Sequence, residues 1–359
     1  MPLPFILGGL ALAAAGYGVK KGIDALDADC EADEFIKKAE NLKEEAKRKV
    51  DSAQSGRNQA LVRLGKKKLH VLSHTVSNFL DHFHRLNRSR IIIEGINMQD
   101  IQGQVSDARK ITNQYREVDF FDVSGAVAGS AIGGVLAAYG AYAGVGMLAS
   151  TAGGVAIAEL SGVAATNATI AWLGGGALSV GGFGMIGGMA VLGGLVAGPA
   201  LAILGAFSAS KMEEKLENAK AYCSQVEAAA KEADAVIDNL QAIRKMADLF
   251  TRQITKFDTL FFSLSQEAIA TMKKRNYDTS RYNQKEKDQL CVTVSTLMTL
   301  SAFLKVSIMD KHQKLTEKAK NALILMRDQT DSLENGNYSL RGIRFRQAQL
   351  EDLRDDKTS

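Results

Sequence analysis

The chain has 359 residues, 46% of them hydrophobic and 23% charged, with a formal net charge of +4 from 44 basic and 40 acidic side chains. Hydrophobicity at that level excludes global disorder, and near-balanced charge excludes an overall electrostatic demand for nucleic acid. Only three prolines are present, where average usage gives roughly eighteen, which argues against a sandwich, a barrel or a doubly wound α/β enzyme.

Residues 3–19 carry no charge and end at Lys20 and Lys21. Positive charge follows the apolar run instead of preceding it, the reverse of a secretory signal. Residues 1–22 are read as an N-terminal apolar anchor segment, about 25 Å long as a helix and slightly short of a hydrocarbon core. Residues 23–122 are read as long amphipathic helices. Their apolar positions include Ala32, Phe35, Ala39, Leu42, Ala46, Val50, Ala53, Ala60, Leu64, Leu72, Val76, Phe79, Phe83 and Leu86, mostly three or four apart. Asn87 to Gly95 interrupts this pattern, and a weaker one resumes at Asp100.

The interval from Val123 to Ser210 holds 22 of the chain's 33 glycines, and Glu159 is its only charged residue. In an exposed helix each glycine costs about 1 kcal/mol relative to alanine. The compensation predicted here is close helix packing by small residues four apart: Gly125, Gly129 and Gly133; Gly140 and Gly144; Gly184 and Gly188; Gly194 and Gly198. Two charge-free stretches, Val123 to Ala149 and Ala177 to Phe207, are long enough for a ~30 Å hydrocarbon core. Residues 123–210 are therefore read as a membrane-inserting hairpin, with Glu159 and the sole tryptophan, Trp172, between its arms; the alternative is a buried apolar hairpin inside a soluble protein. Glu159 is either a loop residue in water or a costly group lining a pore, and Trp172 suits either a membrane interface or a core.

Residues 211–333 are read as long coiled-coil helices. From Met212 to Leu264 an apolar stripe runs without proline or glycine and predicts one helix of ~90 Å or more. A polar break from Lys273 to Lys285 precedes a further helix from Glu286 to about Leu333. Glu334-Asn-Gly-Asn is a turn signal, and residues 334–359 are read as a short charged tail forming a frayed helix. The long helices are expected to bury their stripes on one another in an antiparallel bundle.

Chemistry-bearing motifs are sparse. Gly182-x-Gly184-x-x-Gly187 lies in low-complexity sequence with no preceding strand pattern, so it does not read as a dinucleotide site. Gly65-Lys-Lys-Lys is not a phosphate loop. His70, His74, Asp81, His82 and His84 include a one-turn pair, but His82 and His84 fall on different helix faces, so no metal site is expected. Cys30, Cys223 and Cys291 have no paired spacing, and no disulfide is predicted. From Arg57 to Arg90, eight basic residues face one acid. If that face meets a ligand, Arg63, Lys66, Lys67, Lys68, Arg85, Arg88 and Arg90 are the expected contacts to anionic lipid; the lack of aromatic interleaving makes nucleic acid an unlikely partner.

Met1-Pro-Leu-Pro-Phe-Ile-Leu-Gly-Gly-Leu-Ala-Leu-Ala-Ala-Ala-Gly-Tyr-Gly-Val-Lys-Lys-Gly and Leu160-Ser-Gly-Val-Ala-Ala-Thr-Asn-Ala-Thr-Ile-Ala-Trp-Leu-Gly-Gly-Gly resemble a group of uncharacterised bacterial helical proteins with a central Gly/Ala-rich block. That resemblance supplies no catalytic residue. In architecture, an apolar hairpin between long amphipathic helices is similar to the cytolysin A-type α-pore-forming toxins and, more loosely, to the apolipoprotein L and colicin pore domains.

The sequence reading is thus an all-α, oligomeric, membrane-associated bacterial protein. It inserts a glycine-zipper hairpin to permeabilise or remodel a membrane, as a defence or stress effector at the cytoplasmic face of the inner membrane, soluble before insertion. The alternative is a constitutive membrane-anchored coiled-coil scaffold or signalling protein without pore activity. No enzyme activity and no cofactor are expected; the partners expected are a lipid bilayer, further copies of the chain and a helical protein.

Overall fold

A computed structural model describes residues 25–86, 98–114, 136–137, 139–141, 212–310 and 314–354. The fold is all-α, and among the described residues the only β-type pairing is an isolated antiparallel bridge between Met309 and Leu315. The helices are α1 (Ala25–His70), α2 (Ser77–Phe83), α3 (Met98–Gln114), α4 (Met212–Lys274), α5 (Gln284–Leu304), α6 (Glu317–Glu334) and α7 (Leu340–Asp352). A π-helical turn, Val71–Val76, joins α1 to α2, and a 3-10 turn, Thr279–Arg281, precedes α5. The uninterrupted stripe after Met212 gives one helix of 63 residues, as its periodicity predicts.

The chain divides into two units. The first comprises Met1–Gly56 and Ile186–Gln241. Here α1 and α4 meet through two small apolar clusters, one of Ala39, Tyr222 and Cys223, the other of Val50, Ala53, Ile237 and Leu240. Lys38 and Glu227 form an exposed ion pair at 2.8 Å. Later residues of α1 meet later residues of α4, so the two helices run parallel.

The second unit comprises Arg57–Met185 and Ala242–Ser359. The same parallel order holds here: Arg63 pairs with Asp248, Lys67 with Asp258 and His82 with Tyr277, at sequence separations of 185, 191 and 195. An antiparallel pair would change that separation by twice each step along the helix. The expected antiparallel pairing of the two long helices is thus corrected. Their seams match in chain order, which the spacing of apolar residues alone does not specify.

The centre of the second unit is α5, in which every residue from Val292 to Leu304 is buried. A helix enclosed on all sides has no polar face, so its hydroxyls turn inward: Thr293 donates to Gln289 O and Thr299 to Ser295 O, both at 2.9 Å. Phe303 stacks on Phe250 of α4 with ring centroids 4.6 Å apart, and Phe79 of α2 meets Phe261 edge-on at 5.8 Å. These large rings anchor a core that draws on every helix of the unit.

Two sequence expectations fail in this unit. The helix expected from Glu286 to about Leu333 is broken at residues 305–316, where Thr316 caps a new helix by accepting from Ala319 N and the Met309–Leu315 bridge forms. The tail is helical as expected, but the helix is capped and packed where fraying was expected. Ser339 caps α7, Gly336 turns the chain at φ +67°, and Ile343 and Leu350, one face apart by two turns, are fully buried.

Candidate functional site

Among the described residues, the glycine-rich block is represented by residues 136–137 and 139–141, which are helical and buried. They lie against α1 at a crossing where both sides contribute glycine. A Cβ on Gly65 would run into the carbonyl oxygen of Leu136 and stand 3.2 Å from Gly140 N; a Cβ on Gly140 would run into Leu61 O and stand 3.0 Å from Gly65 N. Backbone thus touches backbone, the approach that small residues permit and that any side chain blocks.

Beside this crossing lies Lys68, one turn after Leu64 on the inner face of α1 and fully buried. Its Nζ donates to Gly140 O at 3.1 Å. Burial pushes its pKa down to about 7 because a charged ammonium loses its hydration there. The neighbouring Tyr139 is also buried, and Ala141 O accepts from Ile308 N at 2.8 Å, tying the same segment to the stretch after α5. One face of the block is held by two glycines, a lysine and one backbone hydrogen bond.

The anionic-lipid contacts expected on α1 are redistributed by this geometry. Lys68 is a correction: it faces the core, because three consecutive lysines fan across about 200° of helix and one points inward when the helix is packed on several sides. Lys67 reaches Asp258 at 2.9 Å with both side chains largely buried, and Arg63 reaches Asp248 at 2.8 Å, so both are spent on α4. Lys66 is half-buried. Arg85 remains exposed, its guanidinium 5.8 Å from the centre of the Tyr277 ring. Arg88 and Arg90 lie outside the described residues, as do Gly125, Gly129, Gly133, Gly144, Glu159, Trp172, Gly184, Gly188, Gly194 and Gly198.

The histidines disperse. His70 and His74 stack at 4.4 Å, His82 shares a 2.7 Å hydrogen bond with Tyr277 Oη, and His84 one with Gln102. Among the described residues no group of three metal-ligating side chains converges, and no helix is long and apolar enough to cross a membrane.

Two features escaped the sequence reading. Gly65 reads in sequence only as part of a failed phosphate-loop pattern, although a glycine one turn after Leu61 on the apolar face of a long helix signals close approach. Asp100, at the start of α3, gathers Lys305 from the end of α5 and Arg354 from beyond α7, the latter at 3.1 Å. Partners more than two hundred residues apart leave no local signal. No protein-family model, curated protein or solved structure matches the chain.

Proposed function

We propose that this chain is a membrane-active helical protein that holds its glycine-rich block against a helical body and delivers it to a lipid bilayer, permeabilising or remodelling the membrane. The observation that carries the reading is the crossing of Gly65 and Gly140 with Lys68 sealed beside it. An 88-residue interval with one charged residue needs cover in water. For residues 136–137 and 139–141 the crossing provides cover through backbone contact, while the buried lysine keeps that cover from being strong. Insertion into the membrane then belongs to the residues of the interval and not to the described helices. The bacterial pore-forming resemblance and an oligomeric inserted state belong to this same proposal.

A liposome assay tests it. The full chain is expected to float with vesicles and release an entrapped dye, and a chain lacking residues 123–210 is expected to stay helical and do neither. Vesicle binding by the full chain with no release would favour the second reading, a membrane-anchored scaffold. The thin α1–α4 seam of the first unit supports that reading, since its small clusters leave helix surface for a further helical partner. Neither binding nor release would remove both.

A further inference from the structure

The α4–α5 connection was legible in the sequence only as a polar break. Residues 273–287 hold six basic side chains, Lys273, Lys274, Arg275, Arg281, Lys285 and Lys287, against two acids, Asp278 and Glu286. Both acids are already occupied. Glu286 takes Arg275 at 2.8 Å and completes the capping box with Asn283, and Asp278 accepts from Ser280 N at 3.0 Å and pairs with Arg281. What remains outward is Lys273, Lys274, Lys285 and Lys287, all exposed, with one exposed acid, Asp288, next to Lys287 and bonded to Gln284 at 2.8 Å.

Helix stability accounts for only half of these. Lys273 and Lys274 close the last turn of α4, where a cation suits the helix dipole. Lys285 and Lys287 sit in the first turns of α5, where a cation opposes it. Their placement weakens the helix and calls for another reason. The chain also spends backbone conformation here: Asn276 and Tyr277 take left-handed φ values of 53° and 58°, unusual for residues other than glycine. That turn sets Tyr277 between the two basic elements. Its hydroxyl meets His82 Nδ1 at 2.7 Å and its ring lies beneath Arg85. Burial, and then the charges of Lys273 and Arg85, hold the His82 imidazole below its usual range, in keeping with cations crowded at one place.

We infer that the α4–α5 connection, with Arg85 and Tyr277 beside it, is the surface on which this protein first meets an anionic lipid bilayer. Exposed lysines at one turn supply the attraction to acidic headgroups, and Tyr277, packed on His82 and the core, holds Arg85 beside them. The inference rests on the membrane-active reading and adds where the encounter occurs. It does not depend on Lys68, which is buried, or on Arg63 and Lys67, which pair with acids of α4.

The test compares flotation of the full chain with vesicles of phosphatidylcholine alone and with vesicles containing phosphatidylglycerol, with dye release recorded on the same samples. The wild type is expected to float with the anionic vesicles, to be released by salt, and not to float with the neutral ones. Lys273→Gln/Lys274→Gln/Lys285→Gln/Lys287→Gln is expected to lower partitioning roughly 100-fold or more. Lys285→Gln/Lys287→Gln, which relieves α5 and so carries no folding risk from its dipole, is expected to lower it roughly tenfold. Undiminished flotation of these variants, with helicity unchanged, would overturn the inference. Equal binding to neutral vesicles, or duplex DNA capturing the chain where vesicles do not, would overturn it as well. Charge-dependent flotation without dye release supports this surface while defeating permeabilisation. Dye release indifferent to lipid charge does the reverse.

Discussion

Lys68 Nζ donates to the carbonyl oxygen of Gly140 at 3.1 Å from a position with no solvent exposure, beside a crossing where Gly65 and Gly140 bring two backbones into contact. The glycines make the approach possible, and the lysine makes it conditional. Close packing favours docking of the segment, and enclosing an ammonium group opposes it.

The glycines give the first prediction. Gly65→Ala places a methyl group against the Leu136 carbonyl, and one of the two helices must shift. Such overpacking is expected to cost about 1–3 kcal/mol. Gly103→Ala is the matched control, because a Cβ there meets nothing within 4 Å inside α3. It is expected to stabilise by roughly 0.5–1 kcal/mol through helix propensity. Thermal unfolding of both variants checks the contrast, and equal shifts in one direction would refute the crossing.

The lysine gives the second. Burial lowers the pKa of Lys68 to about 7, whereas a free lysine titrates near ~10.4. Below pH 7 the side chain is charged whether or not the segment is docked, so the whole penalty is felt. Between about 7 and ~10.4 the undocked state keeps a proton that the docked state has shed, and stability rises with pH. Lys68→Met is expected to remove that slope and to stabilise the protein near pH 6 by a few kcal/mol, less about 1 kcal/mol for the lost hydrogen bond. Denaturant unfolding at pH 6 and pH 9 measures it. A wild type whose stability is flat over that interval would show that Lys68 is solvated.

The parallel order of α1 and α4 gives a third. A zero-length carbodiimide is expected to join Lys38 to Glu227 and Lys67 to Asp258, since each pair is within 3 Å. Peptide mapping of the cross-linked chain reads the register directly, and links joining the start of either helix to the end of the other would restore the antiparallel arrangement.

Asp100 gives a fourth. Asp100→Asn leaves the cations of Lys305 and Arg354, both largely buried, without their shared carboxylate. A loss of roughly 2–4 kcal/mol is expected. Amide exchange is expected to rise first in α7, which Arg354 follows. Unchanged protection of α7 would show that Ile343 and Leu350 hold it alone.

Much of this fold was legible in the residues. Sixty residues of unbroken apolar stripe dictate α4, and Glu334-Asn-Gly-Asn dictates the turn between α6 and α7, because both signals are local. The direction in which α4 meets α1 was not legible, since a stripe spaced three and four apart reads alike in either direction. Nor was the docked α7, whose two buried residues stand among charges. At the site, the meeting of Gly140 with Gly65 was not legible, since the spacing of Gly140 to Gly144 points to packing within the block and says nothing of a partner on α1. Lys68 was misread, because a run of lysines looks solvated until the number of packed faces around the helix is known.

Contact between the glycine-rich interval and lipid can be read from the chain's own probe, since Trp172 within that interval is the only tryptophan. Its fluorescence is to be followed as the full chain is mixed with anionic vesicles containing brominated phosphatidylcholine. The account predicts strong quenching by lipid bromine, weakened when the lysines of the α4–α5 connection are neutralised. Emission unaffected by bromine at every pH and lipid composition, in samples where the protein floats with the vesicles, would contradict it.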